Sequence, residues 1–396
     1  MGGQAAAAEP GATVGTAQPR AAVGIFAHNE QATIGQVVEG FLNQTVSSAA
    51  LCDVVVVCCG CTDDTLPIAR EIAARDPRVR LMVRPRREGK VSAINEFLGV
   101  VNAELLVLSG ADVVPTNNAV ELLLSPLVAD KRCMMTGPRV VMASKLSPPR
   151  AVDRLHDLLW SLHHAVALQR PKLGELVAIR QDVLRHRLPP GIHCDEALME
   201  SMVAAQGGRM GYVADALVYN FAPTSVRELY QQRRRIAAQH EVLQRLRGYR
   251  PSTTDPQLIM RALRTMPGGR LPLVLLLILL EAAARLHGHW DVHCGRSYQL
   301  WRIARPRSRD GYRLADMPVS TVAEAESRTA QAAELDDGGS LSHAATPHFR
   351  DRDQRGNAVQ PGLRRMQPRK PGVGRLERRP REGAPGSGSG TVGCGR

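Results

Sequence analysis

The chain has 396 residues, of which 44% are hydrophobic and 4% aromatic, with a formal net charge of +13. That length holds one large domain or two ordinary ones, and the apolar fraction supports a folded body with a sizeable core. The charge does not signal nucleic acid: Thr346 to Arg396 carries twelve Lys or Arg against four Asp or Glu, so +8 of the excess sits in a tail, and the few aromatics argue against a base-stacking platform.

Residues 1–20 are rich in Ala, Gly and Pro and lack the basic start and apolar stretch of a secretory signal. They predict a disordered N-terminus and a body facing the cytoplasm. Ala21–Phe26 reads as a strand, and Ile34, Val37, Val38, Phe41 and Leu42 take the spacing of an amphipathic helix. Asp53–Cys58 is a β-branched run suited to a strand covered on both faces. A helix follows from about Thr65 to Arg75, then a strand at Val79–Val83, a helix at Ser92–Val101 and a strand at Glu104–Leu108. This alternation predicts an α/β fold with a doubly wound, mainly parallel sheet, whose ligands bind beyond the carboxyl ends of the strands.

After Pro148 the pattern turns helical, at Ala151–Leu168, from near Asp195, and at Thr224–Leu246, with the short segment Gly174–Arg180 between. The body is expected to end near Arg307, and 318–396 reads as a disordered basic tail. Within 248–310 the run Leu271–Leu280 has about half of the roughly 20 apolar residues that a bilayer span needs. It reads either as a buried helix or as one lying against a membrane surface. Of eight cysteines, Cys52, Cys58, Cys59 and Cys61 are bunched without zinc or disulfide-framework spacing, and we read them as reduced thiols.

The polar residues fall at the strand exits. His28, Asn29 and Glu30 follow the first strand; Cys58-Cys59-Gly60-Cys61-Thr62-Asp63-Asp64-Thr65 ends the second. Gly89-Lys90-x-x-Ala93-x-Asn95 opens the third helix, where a lysine can meet a phosphate beside free backbone N–H groups. Asp112 ends the fourth strand, where an acid is costly to bury unless it is paired or binds a metal. Each has an ordinary reading as a helix cap or a solvated side chain. Their order is the informative part.

In that order the chain resembles glycosyltransferase family 2. Asn29-Glu30 matches its P-x-x-N-E opening, Gly89 to Asn95 its G-K-x-x-A-x-N, and Asp112 the second acid of its D-x-D. Asp195-x-x-Leu198 matches the end of E-D-x-x-L, and Gln232-x-x-Arg235 matches Q-x-x-R-W. The resemblance covers about Ala21 to Arg307. It implies a GT-A domain over 21–247, followed by the helical segment over 248–310 whose apolar run has the two readings above, and an inverting transfer from a nucleotide-diphosphate sugar. The acceptor implied is a lipid or saccharide hydroxyl, with Mg²⁺ or Mn²⁺ as cofactor and no nucleic-acid partner. Asp112 would hold the cation and Asp195 would act as base. Arg235 and Gln232 would serve the leaving diphosphate, and His28, Asn29, Glu30, Asp63, Asp64, Lys90 and Asn95 the donor. Trp160, His163, His164, Pro171, Lys172, Gly174, Glu175 and Leu176 also resemble family positions, where the acceptor would lie.

The chain departs from the pattern at several points. Cys58-Cys59 replaces the usual D-D, so Asp63 or Asp64 would have to meet the nucleobase. Gly110 replaces the first acid of D-x-D, Cys194 the acid before Asp195, and Ile236 the tryptophan of Q-x-x-R-W. The last change favours single addition over a processive synthase. The missing acids leave open a catalytically silent nucleotide-sugar-binding or scaffold protein of the same fold.

Overall fold

Three of the first four strands bury both faces, because their apolar residues do not alternate with polar ones. In the second strand Val54, Val56 and Cys58 enter one core cluster, while Val55, Val57 and Cys59 enter the other. A sheet so covered needs helices on both sides, and the computed structural model supplies them. It describes residues 18–143, 150–189, 192–221, 223 and 225–296. All belong to the first of two units, Met1–Ala332; the second is Ala333–Arg396. The expected end of the body near Arg307 and the 318–396 tail lie outside the described residues, as does most of the expected N-terminal segment.

The elements run β1 (Arg20–Ala27), α1 (Ile34–Leu42), β2 (Ala50–Cys59), α2 (Thr65–Arg75), β3 (Val79–Arg84), α3 (Lys90–Leu98) and β4 (Leu105–Gly110). Then come β5 (Val113–Pro115), α4 (Ala119–Ala129), β6 (Cys133–Ala143), α5 (Ala151–Ala167), β7 (Leu176–Arg180), α6 (Asp195–Ala205) and β8 (Arg209–Phe221). Three further helices close the described chain: α7 (Val226–Arg247), α8 (Pro256–Arg264) and α9 (Leu271–His293). The sheet order is β3-β2-β1-β4-β7-β6-β8-β5. The β1, β2, β3 and β4 pairings are parallel, and β7 and β5 run antiparallel to their neighbours. Helices α1, α2 and α4 cover one face, and α3 and α6 the other.

The parallel half follows the sequence pattern closely, with α3 starting at Lys90 rather than Ser92. The stretch from β5 through β6, and β8, carry no simple periodicity. Gly137 and Pro138 interrupt β6, and the first half of β8 is only partly buried, so neither alternates cleanly.

The C-terminal helices form a separate apolar cluster. Leu155 and Leu158 of α5, Leu229 of α7, and Leu277 and Leu280 of α9 meet there. Helix α9 lies so close to α7 that a Cβ on Gly288 would sit 2.7 Å from the Arg234 carbonyl oxygen. Arg234 makes two 2.6 Å bonds to Asp291, and Arg233 pairs with Glu281. Two arginines of the basic face of α7 are therefore spent on α9. The expected apolar run is part of a longer helix: by length and composition Gly268–His293 suffices to cross a membrane, and 28% of its apolar window is buried. Its outward side exposes Leu271, Leu275, Leu279, Leu286 and Trp290.

Candidate active site

Two strand exits are stitched together by short polar loops. Asn29, at φ 55°, donates from Nδ2 to Thr62 Oγ1 at 3.0 Å and accepts the Thr62 N–H at 2.8 Å. Such a left-handed conformation suits Asn better than most residues. His28 Nδ1 donates to the Cys59 carbonyl at 2.7 Å, which fixes its tautomer, and burial holds the imidazole below its usual range. Thr65 Oγ1 accepts the Glu30 N–H at 2.7 Å and donates to Asp63 Oδ1 at 2.6 Å.

Asp63 is absorbed by this stitching. Its second oxygen takes the Gln31 N–H at 3.3 Å, while the Asp64 N–H is held by Gln31 at 3.0 Å. Neither aspartate lines the cleft. Asn95 is displaced as well: it donates to the Leu188 carbonyl at 3.0 Å and accepts the Leu188 N–H at 2.8 Å. Its amide locks α3 to the loop before α6. These three expected donor contacts are therefore placed outside the cleft as structural groups.

The remaining expected residues line one cavity of about 1200 Å³: His28, Asn29, Glu30, Lys90, Asp112, Asp195, Gln232 and Arg235. Asp112 folds back over Gly110, and a Cβ at position 110 would lie 2.5 Å from Asp112 Oδ1. The glycine that replaces an acid thus makes room for the acid that remains.

Asp195 is the first residue of α6, where the helix favours negative charge. Lys90 Nζ, at the start of α3, is 2.7 Å from Asp195 Oδ2 and 2.8 Å from Glu196 Oε1. Burial pushes Asp195 up to about 6, the Glu196 charge adds to the rise, and Lys90 opposes it. Burial acts against Lys90's charge too, but the two carboxylates overcome it and keep the ammonium protonated. Lys90 was expected to meet donor phosphate; its first partners are these acids.

Glu175 gains importance from the structure. It adopts φ 64°, unfavourable for a side chain of its kind, between Gly174 and β7. Burial first, then the Asp112 and Glu196 charges, raise its carboxyl to about 8. Arg235 faces this group, and its guanidinium feels Glu175, Glu196 and Asp195 against the cost of burial. Nothing in the local pattern around Glu175 signals this role; it depends on the antiparallel return of β7 beside β4, which sets residue 175 next to the strand exit bearing Asp112. Glu196 and Arg87 also line the cleft and were not singled out by sequence.

Of the residues expected near an acceptor, Trp160, His163, Gly174 and Glu175 face the cavity. Lys172 lines it only marginally, because it is bonded to Glu200 at 3.2 Å, where Tyr249 also donates at 3.0 Å. His164 is turned away to Tyr212 at 2.8 Å. The cavity is also lined by Leu159 and Leu162 of α5, Leu263 of α8, and Leu277 and Ile278 of α9, with Glu281 and Arg285 of α9 beside them.

Among the described residues no cluster of three or more His, Cys, Asp or Glu forms a ready metal cage. A hard cation such as Mg²⁺ is commonly held by one or two carboxylates together with substrate phosphates. The oxygen ligands of Asp112 and Glu175 fit that requirement.

Residues 19–238 match the family described as glycosyltransferase like family 2. No curated protein matches the chain. A mannosyltransferase from Pyrobaculum calidifontis, solved with GDP-Man and Mn²⁺, is similar at 21% identity over 81% of each chain, with a TM-score of 0.48. A glucosyl-3-phosphoglycerate synthase from Mycobacterium tuberculosis, solved with Mn²⁺, UDP and phosphoglyceric acid, is similar at 19% identity. That match covers 60% of this chain and 84% of the other, with a TM-score of 0.42.

Proposed function

The chain belongs to glycosyltransferase-like family 2, and we propose that it moves a sugar from a nucleotide-diphosphate donor to the hydroxyl of an acceptor with inversion at the anomeric carbon. It has the GT-A fold and is a transferase. The observation that carries the finer reading is that Asp112, Glu175, Asp195 and Arg235 share one cleft at the carboxyl ends of the central strands.

In this reading the nucleotide lies along the stitched loops at His28, Asn29 and Glu30, and the diphosphate points to Asp112 and Glu175. A divalent cation, Mg²⁺ or Mn²⁺, held there would neutralise charge on the diphosphate as it leaves. Arg235 adds a fixed positive charge in a site of low dielectric, where such charges act strongly. Asp195 takes the proton from the acceptor hydroxyl, a contribution on the order of 10²- to 10⁴-fold. Gln232 lines the same wall and orients the sugar.

The leucines that α5, α8 and α9 give the cavity favour a lipid over a saccharide as acceptor: a chain lying along them would bury apolar surface that a sugar could not match. The exposed stripe of α9 continues that surface outward, which supports a place at the cytoplasmic face of the cell membrane. Ile236, where processive relatives carry tryptophan, supports a single addition.

The test combines binding and turnover on the full chain. A panel of nucleotide-sugars is expected to raise the melting temperature with Mn²⁺ and not with chelator. Asp112→Ala is expected to abolish that shift, and Asp195→Ala to keep it while losing transfer. Transfer retained in Asp195→Ala would remove the base assignment, and a shift with no turnover in the parent protein would make the chain a silent binder.

A further inference from the structure

We propose that Cys58 and Cys61 form a redox-active dithiol whose oxidation to a disulfide weakens nucleotide binding at the neighbouring loops. The residues stand in C-x-x-C spacing at a strand exit, with Gly60 at φ 59° turning the chain between them. A side chain at position 60 is excluded by strain and by space, since a Cβ would lie 2.8 Å from the Arg87 backbone nitrogen. Strand alternation sends Cys59 to the opposite face of the sheet. Cys58 is buried in the first core cluster, and Cys61 packs against that same cluster.

Register brings both cysteines to Ala27. Cys58 pairs with Ala27 across β1 and β2, and Cys61 Sγ donates to the Ala27 carbonyl at 3.7 Å. The neighbouring Cys58 thiol lowers Cys61 to about 7, and Cys61 in turn raises Cys58. One thiol is thus half-exposed and readily ionised and the other is buried and protonated, the asymmetry that suits an attacking and a resolving cysteine. Cys59 and Cys133 are buried, and burial raises both thiols.

The oxidant is a hydroperoxide. The Cys61 thiolate attacks one peroxide oxygen of H₂O₂, the O–O bond breaks, and the departing hydroxide takes a proton to become water. The Cys58 sulfur then attacks the Cys61 sulfenic acid, its thiol proton goes to the leaving oxygen, and a second water departs as the S–S bond forms. Two thiols are oxidised by two electrons and one peroxide is reduced. Closing a bond of about 2.05 Å draws Cys61 off the Ala27 carbonyl. The next residue is Thr62, whose N–H and hydroxyl hold Asn29. The redox change is therefore transmitted directly to the loop at which the donor is read.

The experiment treats the reduced full chain with stoichiometric H₂O₂, alkylates the remaining thiols, and maps the peptide holding residues 58–61. We expect that peptide to lose two hydrogens and to resist alkylation at both cysteines until dithiothreitol is added. Cys58→Ser is expected to stop at a dimedone-reactive sulfenic acid on Cys61. Binding of UDP and GDP with Mn²⁺ is expected to weaken at least tenfold on oxidation and to recover on reduction, with no peroxide effect in Cys61→Ser. Free, alkylatable Cys58 and Cys61 after peroxide would overturn the dithiol; a mapped disulfide with unchanged nucleotide affinity would overturn the coupling. If reduced protein binds neither nucleotide, the donor reading fails, while the peptide map still decides the dithiol.

Discussion

Replacing Lys90 by Met tests whether the ammonium sets the charge of the base. Lys90 Nζ is 2.7 Å from Asp195, and with Lys90 in place the Asp195 carboxyl stands at about 6. A base at that value is roughly 90% ionised at pH 7. An opposite charge at this range lowers a carboxyl by about one to three pH units, so its removal should carry Asp195 to between about 7 and 9. The ionised fraction at pH 7 then drops to between roughly one half and one hundredth, and kcat/KM should fall by about 2- to 90-fold. The sign is fixed: a general base works ionised, so the loss is greatest at low pH and recovers above the new value. Glu196→Gln removes a like charge and should move the acid limb of the profile downward. The assay is kcat/KM against pH for both variants, with circular dichroism to show that α3 survives. A loss equal at every pH, or a limb that stays at its original position in Lys90→Met, would refute the reasoning.

Two further outcomes follow from close contacts and exposed surface. Gly110→Ala places a Cβ 2.5 Å from Asp112 Oδ1, so the carboxylate must rotate away. Stability should fall by no more than about 1.5 kcal/mol, while Mn²⁺ affinity measured by calorimetry with UDP present should fall on the order of tenfold or more. On α9, Leu275 and Leu279 are 54% and 67% exposed. Leu275→Glu with Leu279→Glu should leave the melting temperature unchanged and reduce flotation with anionic vesicles at least about tenfold, since each leucine loses roughly 1.5–3 kcal/mol of burial.

The parallel half of the sheet was legible because its residues speak locally: β-branched runs, glycine turns and the apolar stripe of α1 each fix their own element. Asp112, Asp195, Lys90 and Arg235 were legible as cleft residues through motif order. What failed to show was where polar side chains spend their bonds. Asp63 and Asn95 occupy motif positions, yet their oxygens and amide are consumed by Thr65, Gln31 and Leu188, groups 2 to 93 residues away. The electrostatic weight of Glu175 went unseen for the complementary reason. Its weight comes from a neighbour across an antiparallel pairing, which no window of local sequence contains. The basic run of α7 divided in the same way: Arg233 and Arg234 pair with α9, while Arg235 faces the carboxylates of the cleft.

The charge balance of the cleft argues that cation and donor bind cooperatively. Asp112, Glu175, Asp195 and Glu196 crowd its polar end, with Lys90 and Arg235 as the cations set among them. Burying such a group costs more than a well-packed apolar alternative of similar volume, and the left-handed backbone at Glu175 adds on the order of 1–3 kcal/mol. A nucleotide diphosphate brings further negative charge to the same place, beside the Asp112 carboxylate. A divalent cation held beside Asp112 would offset that charge and favour the ionised form of Glu175. Raising Mn²⁺ should therefore tighten donor binding, and donor should tighten Mn²⁺ by the same factor, because the coupling between two sites is reciprocal.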